Sequence, residues 1–223
     1  MTNSRPLVSV ITPAFNSAAT LRRAHESLRQ QRENWQHIIV NDGSTDATAE
    51  IIASLSADSR VIGASRENGG PGAALNTGIR LACGDYIAFL DADDEYYPNH
   101  LEARLAVMER RRQVDILWSG VELIAASVED RFVPDVARGF GRIHLSECVV
   151  QGTIFARRRV FETMSFSEDR RRIWYQDYDF MERARRTCTV EKVALNTYRY
   201  YRGRGNSVVD AAKRNWPMKA TLY

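Results

Sequence analysis

Cysteine is scarce in this chain, with three in 223 residues. Cys83, Cys148 and Cys188 lie too far apart for a paired metal spacing or a disulfide framework, which fits a reducing cytoplasm. Long apolar runs are missing too. The richest stretch, residues 116–128, is short and interrupted by Glu122, and no apolar signal region precedes Leu7, so neither a membrane span nor a leader is expected. Neither sign of charge dominates: 31 basic against 28 acidic residues leave a formal charge of +3, which removes nucleic-acid binding as the default reading. Low-complexity tracts and linkers rich in Gly, Pro or Ser are absent, so one large domain is expected. His25, His37, His100 and His144 share no ligand spacing and are read as surface or core residues.

Against this background residues 86–94, Tyr-Ile-Ala-Phe-Leu-Asp-Ala-Asp-Asp, carry the most information. An apolar run ends in three carboxylates within four positions. In an extended chain alternate side chains share a face, so Asp91 and Asp93 are expected to point the same way across Ala92. Their repulsion would raise both pKa values unless a cation sits there, so the spacing implies a hard divalent metal and a phosphate for it to hold.

Strand and helix alternate before that run. Strands are expected at 7–12, 37–41, 60–65 and 86–90, and helices at 47–55, 73–83 and 98–112, with a first helix capped by Ser17 that presents Leu21, Ala24 and Leu28. This rhythm signals parallel βαβ units, whose ligands bind beyond the carboxyl ends of the strands. Asn16, Asp42, the Gly69-Gly-Pro-Gly72 loop and Asp91 to Asp94 all fall there and should converge on one crevice. Beyond a soft boundary near residue 113 the pattern loosens. Arginine triplets at 110–112, 157–159 and 170–172 make this half locally basic; solvated helix faces are the plain reading, with an anionic membrane or a diphosphate as functional ones.

Several motifs occur in a fixed order: Val8-Ser-Val-Ile-Thr-Pro-Ala-Phe-Asn16, Asn41-Asp-Gly-Ser-Thr-Asp46, Glu67-Asn-Gly-Gly70 with Ala74-Leu-Asn-Thr-Gly78, Gly84 to Asp94, and Tyr175-Gln-Asp-Tyr-Asp179. Together they make the chain similar to the inverting glycosyltransferases of family two, over the first hundred residues and again from about Val150 to Ser207. The resemblance implies an α/β GT-A fold: a Rossmann-like, mostly parallel central sheet with helices on both faces and a smaller acceptor-side subdomain. Residues 1–112 would bind the nucleotide sugar, and residues 113–223 of the same domain would bind the acceptor and supply the base.

The implied reaction moves a hexosyl-type sugar, with inversion, from a nucleoside diphosphate sugar, UDP-linked by the resemblance, to a glycan or lipid-linked acceptor. Asp42 would accept from the base, framed by Pro13, Ala14 and Asn16. Asn68, Gly69 and Asn76 are further expected donor contacts, and Asp91 with Ala92 would lie near the ribose. Asp93 would hold Mn2+ or Mg2+ against the two phosphates. Asp177 would deprotonate the acceptor, with Asp179 as the fallback base. Arg199, Arg202 and Arg204 are candidates for a basic segment over the diphosphate, and Trp174, Tyr175 and Tyr178 for stacking on sugars; an edge strand and core packing are the competing readings.

Two departures from the family pattern matter. Leu75 stands where an Arg is common, and Gln176 replaces the usual Glu, so a catalytically impaired nucleotide-sugar-binding protein is one alternative. A sugar-nucleotide nucleotidyltransferase is the other, although Val10 to Asn16 lacks its Gly-rich, Arg-Lys signature. Polysaccharide assembly in the cytoplasm, with peripheral contact at the inner membrane face, is implied by the resemblance alone. Oligomeric state, and any docking role of residues 210–223, stay open.

Overall fold

A computed structural model describes residues 6–135, 137, 141–173 and 175–203. Trp174, Arg204 and the segment 210–223 lie outside the described residues. Four strand–helix steps open the chain: β1 (Val8–Ala14), α1 (Leu21–Arg29), β2 (Trp35–Asp42), α2 (Thr48–Leu55), β3 (Val61–Arg66), α3 (Pro71–Leu81), β4 (Tyr86–Phe89), the short β5 (Glu95–Tyr96) and α4 (His100–Arg110). The second half is made of shorter pieces: β6 (Ile116–Ser119), β7 (Glu122–Ala125), β8 (Phe132–Asp135), β9 (Gly141–His144), β10 (Phe155–Arg157), α5 (Gln176–Ala184), β11 (Val190–Val193) and β12 (Tyr198–Arg202).

The central sheet has seven strands in the order β11-β6-β10-β4-β1-β2-β3. Strands β4, β1, β2 and β3 run parallel, β11 runs parallel to β6, and β10 is antiparallel to both its neighbours. The fold is therefore α/β with a mostly parallel sheet. Strands from beyond residue 113 complete the sheet begun by the first half. Because the chain passes from β3 back across β1 to β4, the strand order reverses at β1 and β4, the switch point beyond whose carboxyl ends open α/β sheets bind ligands. A second sheet, β5-β12-β7, stands beside that end.

Burial follows from both faces of the sheet being covered at its centre, where β1, β2, β4 and β6 are almost wholly buried, while the outer strands β3 and β11 are partly exposed. In β4 the alternation is visible: Ala88 packs into one cluster with Val8, Val10 and Leu28, while Ile87 and Phe89 join another with Ile11, Leu75 and Phe180. The predicted stripe of Leu21, Ala24 and Leu28 is fully buried.

Local differences have physical causes. Helix α1 starts at Leu21 rather than beside a Ser17 cap, because Ser17 supplies its backbone oxygen, not its hydroxyl, to Thr20 and Leu21. Helix α3 starts at Pro71, whose missing N–H costs nothing in the first turn. The 116–128 stretch divides between the two sheets. The Tyr198 strand is the central strand of the small sheet, not a sheet edge, and its Arg199 pairs with Glu122 and Glu95 and lies over the Tyr97 ring. Within the later two arginine triplets, Arg157 bonds the Val114 and Met108 carbonyls, Arg159 pairs with Asp115, and Arg171 with Asp169.

Candidate active site

The acidic motif is a turn, not an extended segment. Strand β4 ends at Phe89, and the Asp94 amide donates back to the Asp91 carbonyl at 3.1 Å. The expectation that Asp91 and Asp93 share one face of a strand is thus corrected: a β-turn, rather than strand alternation, sets their directions. The turn also separates the roles of its acids. Asp94 is fully buried, accepts from the Tyr198 hydroxyl at 2.8 Å and the Tyr201 amide at 2.9 Å, and ties the turn to β12. Burial, then repulsion from Asp93 and Asp91, holds its carboxyl well above the usual range.

Asp91 is partly accessible. Its Oδ1 accepts from Gln151 Nε2 at 2.9 Å and its amide donates to Tyr198 Oη at 3.2 Å. Burial, with repulsion from Asp93 and then Asp177, raises its pKa to about 7. The Asp93 carbonyl accepts from Arg23, whose guanidinium also pairs with Glu95 and lies 4.3 Å from the Tyr201 ring centroid. Asp177 enters this cluster from the first turn of α5, a position that suits an acid. Burial pushes it up to about 6 against the backbone amides of Tyr178, its own residue and Gln151. Asp179 is differently placed: Arg172 and Arg183 both bind its carboxylate.

The donor-side candidates surround the neighbouring loop. Asp42 closes β2 with its carboxylate 2 % exposed. Its two oxygens accept from the amides of Gly69 (3.0 Å) and Gly70 (2.8 Å), and Arg66 lies at 3.2 Å. A carboxylate offers about four lone pairs, so acceptor capacity remains. Asn68 donates to the Asp42 carbonyl and accepts from Arg170. Asn16 takes the left-handed conformation, φ 49°, and receives the Thr45 amide at 2.8 Å, so it joins the ends of β1 and β2. Asp46 receives the Thr48 amide at 3.0 Å, a helix-capping bond. Pro13 and Ala14 lie in β1, and Ala14 and Ala92 are packed in the core, so they offer backbone groups rather than side chains.

Asn76 and Leu75 point to structure. The Asn76 amide donates to the Phe166 carbonyl and to Glu168, and its oxygen accepts the Phe166 amide. Leu75 is fully buried, so position 75 offers no basic contact to a ligand. The strap that Asn76 holds passes directly over α3: a side chain on Gly72 would meet the Ser167 carbonyl at 2.1 Å. Arg202 is 1 % exposed, bonds the Tyr200 hydroxyl at 3.3 Å, and leaves Nε and Nη2 without partners.

Three residues that matter here were not predicted from the sequence. Tyr198 and Tyr201 anchor Asp94. Gln151 opens a single 3-10 turn, Gln151–Thr153, and links Asp91 to Gln176. Only the Gly that follows signalled anything unusual: a Cβ on Gly152 would lie 2.0 Å from the Tyr198 ring.

The donors at the turn suit a hard divalent cation. They are carboxylate oxygens, and their repulsion already raises Asp91. Among the described residues no three metal-ligating side chains converge into a complete cage.

Comparison with known proteins follows the same lines. The profile of the family described as Glycosyl transferase family 2 matches residues 9–124. An uncharacterized glycosyltransferase of Rickettsia typhi is 43% identical over 121 residues, 53% of this chain and 37% of that protein. A Bacillus subtilis protein provisionally named a teichuronic acid biosynthesis glycosyltransferase is 40% identical over 128 residues, 56% of this chain and 50% of its own length. The chain thus spans half or less of both relatives. Among solved structures, S. aureus TarS 1–349 in complex with UDP-GlcNAc superposes with a TM-score of 0.71 at 21% identity, covering 89% of this chain and 59% of that one. A Pyrobaculum calidifontis mannosyltransferase in complex with GDP-Man and Mn2+ gives 0.66 at 16% identity, covering 89% and 57%. These neighbours share the GT-A fold, and with its profile matched over more than half its length the chain belongs to glycosyl transferase family 2.

Proposed function

We propose that the protein is a metal-dependent inverting glycosyltransferase that takes a hexosyl group from a nucleoside diphosphate sugar, UDP-linked in the first instance, to a hydroxyl of a glycan or lipid-linked acceptor. One observation carries the reading: acids from two distant segments, Asp91 and Asp93 after β4 and Asp177 at the head of α5, come together, so that burial first and then repulsion from Asp93 and Asp177 raise Asp91 to about 7. Like charges gathered at a strand-end crevice mark a functional site.

In this reading Pro13, Ala14, Asn16, Asp42, Asn68 and Gly69 frame the nucleoside, with Asp42 shared between its loop and the base edge. Asp91 and the backbone at Ala92 face the ribose. Asn76 acts indirectly, by holding the 166–168 strap. Asp93, with Asp91 beside it, would hold Mn2+ or Mg2+, which when bound supplies Lewis-acid neutralisation of the departing diphosphate. Asp177 takes the proton from the acceptor hydroxyl as that oxygen attacks the anomeric carbon opposite the leaving group. Asp179 is the weaker base candidate because two arginines hold it. The provisional name of the Bacillus relative supports polysaccharide assembly as the setting.

Gln176, in place of an acid, raises the rival reading of a binding-only protein, and turnover separates the two. The metal assignment is tested by calorimetry of UDP with and without Mn2+. Wild type should bind in a Mn2+-dependent way, and Asp93→Ala should lose that dependence. Unchanged Mn2+-dependent affinity in the variant contradicts the assignment.

A further inference from the structure

Gln151 touches two of the carboxylates assigned to the reaction, Asp91 and Asp177. Its side chain is 6 % exposed, with Nε2 donating to Asp91 Oδ1 at 2.9 Å and Oε1 accepting from Gln176 Nε2 at 2.9 Å. Its backbone amide meets the carboxylate of Asp177. Gln176 is buried to the same degree and lies against Gly72, where a Cβ would come within 3.1 Å of its Oε1. The glutamine pair therefore connects the Gly69–Gly72 loop, the acidic turn and the head of α5.

Hydrogen-bond inventory fixes the direction of this chain. When Asp91 is ionised it only accepts, and in that state Gln151 turns its NH2 to Asp91 and its oxygen to Gln176. Gln176 must then donate. A Glu at position 176 would set an acceptor against Oε1, and Gln151 could relieve the clash only by turning its NH2 away from Asp91. The amide at 176, which looks like a lost acid by family pattern, is the group this geometry requires.

We propose that Gln151 is a positioning residue: oriented by Gln176, it locks the donor-side carboxylate Asp91 and the base-side carboxylate Asp177 into one geometry. The role rests on the glycosyltransferase reading above. Neither glutamine has to touch substrate, and the coupling acts through hydrogen bonds that a purely packing role would not need.

The test uses the full 223-residue chain and UDP release from UDP-GlcNAc with Mn2+, or from whichever member of a UDP- and GDP-sugar panel wild type turns over best. Gln151→Met and Gln176→Glu should each lower kcat by about tenfold or more, with Gln176→Met milder than Gln176→Glu. In the Gln151→Met background there is no amide left to turn, so adding Gln176→Glu should cost less than about twofold more. A packing role predicts the reverse order, since Glu is the closer fit to Gln. Effects that multiply, or a Gln176→Glu enzyme within about twofold of wild type, overturn the positioning role and leave the transferase reading standing. Should Gln151→Met lose its cooperative thermal transition, the order of Gln176→Met and Gln176→Glu decides alone. A wild type that releases nucleotide from none of the panel overturns both readings.

Discussion

Replacing Tyr198 by Phe removes one oxygen from the fully buried ring that anchors the acidic turn. That hydroxyl donates to Asp94 Oδ2 at 2.8 Å and receives the Asp91 amide at 3.2 Å. The ring itself keeps its place, because Gly152 leaves room for it and Tyr96 and His100 pack beside it. The cost is that of leaving the Asp94 Oδ2 acceptor and the Asp91 amide donor without this partner, about 1–3 kcal/mol in all, since the other oxygen of Asp94 keeps the Tyr201 amide and Asp91 is partly accessible to water. Taking about 2 kcal/mol and about 2–4 °C per kcal/mol for a domain of this size, Tm should fall by about 4–8 °C. Thermal unfolding followed by circular dichroism measures this directly, and urea titration should show a lower midpoint at unchanged slope. A Tyr198→Phe protein with the wild-type midpoint would refute the view that Asp94 is a structural anchor held by this hydroxyl.

Two pH dependences extend the argument. Asp94 has a folded-state pKa raised by burial and by its acidic neighbours, so the stability it lends is complete below its unfolded value of about 4 and is lost as pH rises through the folded one. In metal-free buffer, the stability difference between Asp94→Asn and wild type should shift in the variant's favour from pH 5 to pH 8; a constant difference in urea midpoint contradicts this. Asp177, pushed up to about 6 by burial, must be ionised to act as a base. The acid limb of the kcat/KM profile should therefore bend near pH 6 and fall tenfold per unit below it, whereas a bend near the ordinary carboxylate value of about 4 would point to a different group.

The first half of the fold was readable because its signals are local. Apolar runs such as Val8 to Thr12 and Ile38 to Val40 end in Gly, Asn or Asp, and the stripe of Leu21, Ala24 and Leu28 repeats at helical spacing. The strand-end loops that this rhythm predicted are where Asp42, Asn68 and Asp91 are found. What was not readable depends on partners far along the chain. Asp42 meets Gly69 and Gly70, Asn76 meets Phe166, and Asp94 meets Tyr198, and none of these pairings leaves a periodic trace. Residues 91–94 misled for a related reason: two-residue alternation holds only while the chain stays extended, and the Asp94 to Asp91 hydrogen bond ends that. Gln151 had no signal of its own, since a buried glutamine ahead of a short strand resembles any other polar loop residue.

The account's central claim is that Asp177 removes the acceptor proton in a sugar transfer whose donor is held elsewhere. Its most direct measurement is Asp177→Asn in two parallel assays with the same nucleotide sugar and Mn2+: donor affinity by calorimetry and turnover by nucleotide release. Donor affinity should stay within about threefold of wild type while kcat falls by about 100-fold or more, the share general-base catalysis ordinarily supplies. Turnover near that of wild type would contradict the claim, because the proton would then be leaving through a different residue.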